Sequence, residues 1–424
     1  MMWTIMKYEF TKVRTSPILV SLLVIFLSFN MFIIYQHSHI REELAVLTKL
    51  VDRFGHEMNG EKADRFKEYY FEQLDDFQQF TKVYFSKEYH TVQEFLEDFH
   101  HGAFEETKVD EEQLQWIEEI ALVESYYYYL NDLDTYYKNF DVMNIAKFQI
   151  SRYGLSGQAE RFVNKQYAQL KERFTELIET NEYNHLFFIG SFYKMHTLLF
   201  QTLFRAVLFE SIILAVLLTG YLVNFEFENK TYLLTYSSKR GRRLSVDKWI
   251  VSLTASSITT VLVLGGTFIA YFSIFDYSGL WKVPISSGFN WEYDYPYISW
   301  WNLPFVLYLT LASILLLLSV LIFSTMTYVI AMWIRHSYFV FFLFWVLFGA
   351  GLLLPSVMAK NSIAIIIAHF TPFILILNPF LWFMESGAFT TFKYYELVTI
   401  VVWSILLLIV ALYSVRRFKQ QDVY

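Results

Sequence analysis

Residue types that do chemistry are sparse in this chain, and the densest cluster is His100-His101 behind Glu94, Glu97 and Asp98. Imidazoles and carboxylates are zinc ligands, yet adjacent histidines on a helix point to different sides. The cluster therefore reads as a solvated polar turn, and no metal site is expected. No GxSxG elbow and no HExxH pair occurs, so no catalytic residue is assigned and no enzyme is expected. Cysteine is absent, which removes thiolate nucleophiles, disulfides and Cys-based metal sites. A different chemistry attaches to Glu210, which sits inside a long apolar run. At about 1.5 Å per residue it lies roughly 20 Å from the end of that run. A carboxylate at that depth must be neutral, paired or hydrated. A partner on another helix, a part in substrate or cation passage, and protonation without a role are all open. Arg205, five residues earlier, falls on another face and can snorkel outward, so the two are not an obvious ion pair.

The elements that must position these residues are membrane helices. Hydrophobic residues make up 55% of the chain and charged ones only 18%, with a mean hydropathy of +0.32. A soluble domain carries nearer a quarter charged residues, so the balance points to a bilayer. A hydrocarbon core of about 30 Å needs about 20 apolar residues in a helix. Six segments qualify: Pro17–Tyr35, Thr197–Val223, Trp249–Ser273, Asn302–Met332, Phe339–Met358 and Leu397–Val415. The fourth is long for one span, which implies tilt or extension beyond the bilayer. No cleavable signal peptide is expected, because Met1–Pro17 is amphipathic and the run after it is long enough to stay in the membrane.

Basic residues set the orientation. Lys7, Lys12 and Arg14 precede span 1. Lys230, Lys239, Arg240, Arg242, Arg243 and Lys248 lie between spans 2 and 3. Arg335 lies between spans 4 and 5, and Arg416, Arg417 and Lys419 follow span 6. Six spans place all four groups on one side, which is the expected cytoplasm, with both termini there. The fold class is thus an all-α polytopic membrane protein: 1–36 forms an N-terminal amphipathic helix and span 1, 37–192 an acidic helical extracellular domain, and 193–424 spans 2–6.

The insert has no proline in its helical part and repeats apolar residues at helical spacing, as in Val163, Tyr167, Leu170, Phe174, Leu177 and Ile178, or Phe66, Tyr70, Leu74 and Phe77. Phase breaks near Gly55–Gly60, His100–Gly102 and Gly154–Gly157 predict a small bundle. Its acidity fits either a solvated surface or the binding of a cationic or amphiphilic peptide. Phe275–Trp301 concentrates Tyr277, Trp281, Trp291, Tyr293, Tyr295, Tyr297, Trp300 and Trp301, which predicts anchoring at the headgroup level. Ile363–Met384, apolar but interrupted by Pro372 and Pro379, reads as a re-entrant or interfacial helix pair before span 6.

Leu155-Ser156-Gly157-Gln158-Ala159-Glu160-Arg161 looks like the signature sequence of ABC ATPases. One glycine of that motif is missing, the segment is expected outside the cell, and no GxxxxGK[ST] phosphate loop occurs. The chain is therefore expected to bind no ATP or Mg itself. The loop 224–248 carries a more specific resemblance. Glu226 or Glu228, the amphipathic stretch Thr231, Tyr232, Leu233, Leu234 and Tyr236, the basic turn with Arg240, Arg242 and Arg243, and Lys248 opening span 3 follow the order of ABC-2 type permeases. Lys230-Thr231 stands where that family commonly has Gly-Thr, and Tyr236-Ser237 where it often has proline. Tyr8-Glu9-Phe10 and Lys12 resemble the family's interfacial elbow helix, the proline-broken pair its re-entrant helices, and Arg416-Arg417-Phe418-Lys419 its basic tail. The resemblance covers the membrane portion, not the insert. It implies a permease subunit of a bacterial cell-membrane ABC exporter, paired with a second permease subunit, identical or related. A dimer of cytoplasmic ABC ATPase subunits, holding the ATP and Mg, would dock on this loop. The implied cargo is an amphiphile such as an antimicrobial peptide, lipid or drug, with sodium export also known in the family. Membrane lipid is an expected partner and nucleic acid is not. The competing class is a membrane-anchored sensor or immunity protein that captures a peptide without transport. Span 3 is rich in small residues (Ser252, Ala255, Ser256, Ser257, Gly265, Gly266), which permit close helix packing or a lined path.

Overall fold

A computed structural model describes residues 2–102, 109–189, 195–237, 241–290 and 296–420. Among these, six helices are long and apolar enough to cross a membrane: Pro17–Gln36, Thr197–Glu228, Gly241–Ile274, Phe305–Trp333, Ser337–Val357 and Tyr395–Gln420. Lipid offers no hydrogen bonds, so such apolar runs must satisfy their backbone internally, as helices do. Pro17 and Pro304 set the starts of spans 1 and 4, where a missing N–H costs nothing. Span 2 is the hub. Its sides are buried against spans 1, 3, 4 and 5, whereas spans 1, 3 and 5 keep most of their apolar surface outward. Span 3 starts earlier than the hydropathy suggested. Its α-helix begins at Leu244, which draws Lys248 inside the span.

Span 2 opens with a π-helical stretch, Thr197–Leu203, before the regular helix that carries Arg205 and Glu210. Within the bundle, Ser252, Ala255 and Ser256 of span 3 are buried against neighbouring helices, with Ser256 donating to Ser324 (3.3 Å) and Ser324 2.9 Å from Thr219. These three small residues serve close packing within the bundle.

The insert is helical: Ile40–Phe54, Gly60–Phe85, Val92–His100, Glu111–Asn139, Val142–Tyr153 and Gly157–Glu179. The expected breaks at Gly55–Gly60, His100–Gly102 and Gly154–Gly157 are present. Two further breaks fall where Thr91 and Asp141 cap new helices. Phe66, Tyr70, Phe77, Val163, Tyr167, Leu170, Phe174 and Leu177 are all buried. Its first and last segments close on each other through a bridge between Glu57 and His185, where Leu186 N donates to the His56 carbonyl (2.6 Å).

The aromatic segment departs from expectation. Tyr277, Tyr297 and Trp300 are buried rather than presented to headgroups, with Tyr277 stacked on Phe305 (4.9 Å) and bonded to Tyr271 (2.8 Å). The insert covers this segment, so its rings form a seam between domain and bundle. Trp291, Tyr293 and Tyr295 lie outside the described residues. Before span 6, Ile363–His369, Pro372–Leu375 and Pro379–Leu381 are short helices broken at the two prolines, and none is long enough to cross.

Candidate functional site

The N-terminal helix and the last described turns of span 6 lie at the end of the bundle opposite the insert, beside the described residues of the loop 224–248. The N-terminal helix Met2–Arg14 is amphipathic, and it packs on spans 2 and 3. Its inward face carries Glu9 and Lys12, one turn apart. Lys12 Nζ donates to Glu9 Oε1 (2.6 Å) and to Glu226 Oε1 (2.8 Å). The second oxygen of Glu226 pairs with Lys248 Nζ, which also donates to the carbonyls of Leu222 (2.5 Å) and Val223 (3.2 Å). Two acids and two bases thus form a neutral buried joint between the N-terminal helix, span 2 and span 3. Glu226 is 3% and Lys248 1% exposed. Burial pushes Glu9 above its ordinary value even though Lys248 and Lys12 pull it down. Burial also disfavours the Lys12 ammonium, but its bonds to Glu226 and Glu9 outweigh this and hold it above its usual range. Desolvating four charges costs several kcal/mol per ion unless each finds a partner, so the joint tolerates little change in geometry.

The rest of the loop is built outward from this joint. Span 2 ends at Glu228. Thr231 N then donates to the Glu226 carbonyl (2.9 Å) and Lys230 N to the Phe227 carbonyl (3.2 Å), the paired bonds of a Schellman turn. Lys230 occupies the left-handed position of that turn (φ +57°), where glycine is favoured. The short helix Tyr232–Ser237 follows, held from below by rings: Tyr232 stacks on Phe227 (5.3 Å), and buried Tyr236 meets Phe227 (5.6 Å) and Phe418 (5.1 Å). The Arg335 guanidinium sits 4.9 Å from the Phe227 ring. Gly241 returns the chain so closely that a Cβ would collide with the Thr235 carbonyl oxygen and the Tyr236 Cα.

The helix so anchored points two leucines away from the protein. Leu233 is 52% and Leu234 81% exposed. Thr231, Arg242 and Arg243 are exposed beside them, and Arg242 Nη1 donates to the Lys419 carbonyl (2.5 Å), tying the loop to the tail of span 6. Glu228 accepts from Ser337 N (2.7 Å) at the start of span 5. The segment expected to meet a partner therefore divides. Leu233, Leu234 and the arginines face outward, whereas Glu226, Tyr236 and Lys248 are interior and out of a partner's reach. Arg240 lies outside the described residues.

The intramembrane acid has a partner on another helix. Glu210 Oε2 accepts from Asn30 Nδ2 (2.8 Å) of span 1, and the same amide lies 3.1 Å from Thr267 Oγ1 of span 3. Spans 1, 2 and 3 are thereby joined mid-membrane. Arg205 takes no part, and its Nε is buried without a partner among the described residues. Of the residues in these two networks, the sequence alone singles out neither Asn30 nor Thr267, and it marks Glu9 and Lys12 only as part of an interfacial helix and, for Lys12, of the basic flank before span 1. An acid and a base one turn apart on an amphipathic helix, and one Asn in an otherwise apolar span, were the available signals. Among the described residues no group of three His, Asp or Glu could hold a metal. The Leu155–Arg161 run forms the turn and first residues of the helix Gly157–Glu179, in the insert. Comparison of the chain with family models, curated proteins and solved structures finds no match.

Proposed function

We propose that this multi-pass membrane protein is the permease subunit of an ABC-2 type exporter, moving an amphiphile across a bacterial cell membrane with energy from a separate ATPase. The observation that carries the reading is the exposed Leu233-Leu234 pair on a helix braced by rings and closed by Gly241. Two adjacent exposed leucines at a basic edge offer apolar area that a partner's groove can bury. An apolar groove with an acidic rim on a cytoplasmic ATPase is a fitting cover. Force on this helix has a stiff route inward: the Schellman turn joins it to span 2, and the four-charge joint joins span 2 to span 3 and the N-terminal helix. Closure of an ATPase dimer would then tilt spans as rigid units. The basic groups at this end support a cytoplasmic placement, which leaves the insert outside. The cargo class rests on the family resemblance.

The test is whether a cytoplasmic ATPase co-purifies with this chain, together with its permease-stimulated hydrolysis. Burying each leucine is worth roughly 1.5–3 kcal/mol, whereas rim charges mainly steer encounter. Leu233→Asp with Leu234→Asp should detach or uncouple the ATPase while the permease remains inserted. Arg242→Ala with Arg243→Ala should weaken association less, and in a salt-dependent way. Normal binding and stimulation by the double Asp variant would remove the loop as coupling element. That outcome favours the sensor reading, in which no ATPase is needed.

A further inference from the structure

On the insert side a groove of about 760 Å³ runs down between the end of span 5, the short helix Ile363–His369 and the first half of span 6. Phe162 of the insert and Phe392 line its upper part, and Ile367, Val402, Trp403 and Leu406 its length. Apart from two threonines, every lining side chain is apolar or aromatic. Thr399 is fully buried, and its hydroxyl has no partner among the described residues. From Tyr395, where span 6 begins, to Leu406 is eleven residues, or roughly 16 Å of helix. That matches the depth of one leaflet, about half of a 30 Å hydrocarbon core. Ile367 and Val402 remain exposed, so the groove opens sideways where acyl chains lie.

The mouth of the groove is built by the Leu155–Arg161 run. Ser156 N donates to the Lys360 carbonyl (3.3 Å) and Gln158 N to that of Asn361 (3.0 Å), while a Cβ at Gly157 would lie 2.9 Å from the Asn361 oxygen. The insert is thus pinned to the loop after span 5. Its charge changes sign there. The insert as a whole carries 30 acidic and 16 basic residues, yet the elements that build this mouth carry exposed Lys360, whose Nζ approaches Gly154, and exposed Arg161 and Lys165, one and two turns along the helix from Gly157. Lys165 lies one turn from Phe162, on the same face of the helix. Glu160 is the acid beside them in sequence.

We propose that the groove holds an acyl chain of an anionic phospholipid from the surrounding leaflet, with its phosphate at Arg161, Lys165 and Lys360. The proposal needs only the membrane placement and does not depend on an ATPase.

The natural absence of cysteine permits a clean test. Full-length Val402→Cys, labelled with bimane, is placed in phosphatidylcholine nanodiscs containing a minor fraction of brominated phosphatidylglycerol or of brominated phosphatidylcholine. A basic residue near an anionic surface is worth about a fivefold preference, so quenching by the anionic lipid should saturate at a fraction at least about fivefold lower. Arg161→Gln, Lys165→Gln and Lys360→Gln together, all exposed positions, should abolish that difference. Bimane at Ile409→Cys, exposed on the same span but outside the groove, should show none. Equal quenching by both lipids at Val402, or a preference that survives the triple substitution, would overturn the proposal. So would efficient cross-linking of Val402→Cys by a short bis-maleimide into a dimer, which would show that a second copy covers the groove. Because no ATPase enters the measurement, failure of the exporter reading leaves this result untouched.

Discussion

The two ends of the bundle are held by opposite means. At the end that carries the termini, the N-terminal helix joins spans 2 and 3 through four buried charges, Glu9, Lys12, Glu226 and Lys248. At the insert end the seam is mostly aromatic and backbone contact: Tyr129 against Phe289 (5.3 Å), Tyr153 against Phe389 (4.8 Å), Gly288 N to the Tyr183 carbonyl (2.8 Å), and Arg173 Nε to the Ser299 carbonyl (3.1 Å). Arg173 is itself neutralised by both oxygens of Glu182 (2.8 and 2.6 Å). A charge joint holds one geometry and fails abruptly, because any unpaired ion inside it is heavily penalised. A packed aromatic seam loses contacts gradually. The first suits transmission of a defined movement, and the second suits holding a large domain in place.

Removing one member of each connection should expose the difference. Lys248→Met leaves the Glu226 carboxylate buried with Lys12 as its remaining cation, and a broken buried pair costs about 3–5 kcal/mol. Adding Glu226→Gln should recover much of that loss, since the uncompensated charge disappears. At the insert end, Tyr167 donates to Glu385 Oε1 (2.5 Å), an oxygen that also accepts from Gly387 N (3.0 Å). Tyr167→Phe therefore leaves the carboxylate its bonds to Gly387 N and the Thr391 side chain, for a cost of about 1 kcal/mol. Thermal midpoints in one detergent compare the two directly. If Lys248→Met shifts the midpoint no further than Tyr167→Phe, the joint is not the stiffer connection.

The insert end carries its own pH dependence. His56 Nδ1 lies 3.0 Å from His185 Nδ1, so one ring donates and the other accepts. Burial lowers both pKa values, and His185 falls from 6.5 to about 4, with the charge of His56 adding to the effect. Glu57 and Glu182 pull the other way, and Lys62 with burial. A histidine held below its ordinary value stabilises the fold fully above pH 6.5. That contribution is lost as pH falls towards 4, because the unfolded chain takes up the proton first. The thermal midpoint should therefore drop between pH 7 and pH 5, and His185→Gln, which cannot charge, should flatten that slope. An unchanged slope would remove the histidine pair as its source. At the other end Glu9 shifts upward, so its contribution runs in the opposite sense with pH.

How far the sequence could be read follows from what each feature depends on. Span positions, the helical insert and its glycine breaks rest on local composition and period, and they are found within a few residues except at the start of span 3, which lies eight residues earlier. Glu210 was legible as a residue that needs a partner, but Asn30 is 180 positions away and no spacing links them. The charge joint likewise pairs Lys12 with Glu226 across 214 positions. Tyr236 and Leu234 look equivalent in an amphipathic hexapeptide. Only Phe227 and Phe418, brought from two other elements, decide which faces inward. The aromatic segment before span 4 has the composition of a headgroup belt, and a domain tied to span 1 covers it.

The smallest expected effect lies in the turn that connects the joint to the exposed leucines. Lys230 is held at φ +57°, where a Cβ approaches the following carbonyl, at a cost of roughly 1–2 kcal/mol relative to glycine in a folded chain. Glycine also gains freedom in the unfolded chain, which offsets about 0.4–1 kcal/mol. Lys230→Gly should therefore stabilise the protein by about 0.5–1 kcal/mol. Lys230→Ala, which keeps the Cβ, should give no gain, and this separates backbone strain from loss of the ammonium. The turn orients the Tyr232–Ser237 helix through the Thr231 and Lys230 amides, which neither substitution removes. Partner binding should accordingly be unchanged while the thermal midpoint rises for glycine alone. Equal gains from glycine and alanine would instead assign the effect to the cation, one of several basic groups crowded at this end, and would show that charge rather than backbone geometry sets how firmly the loop is held.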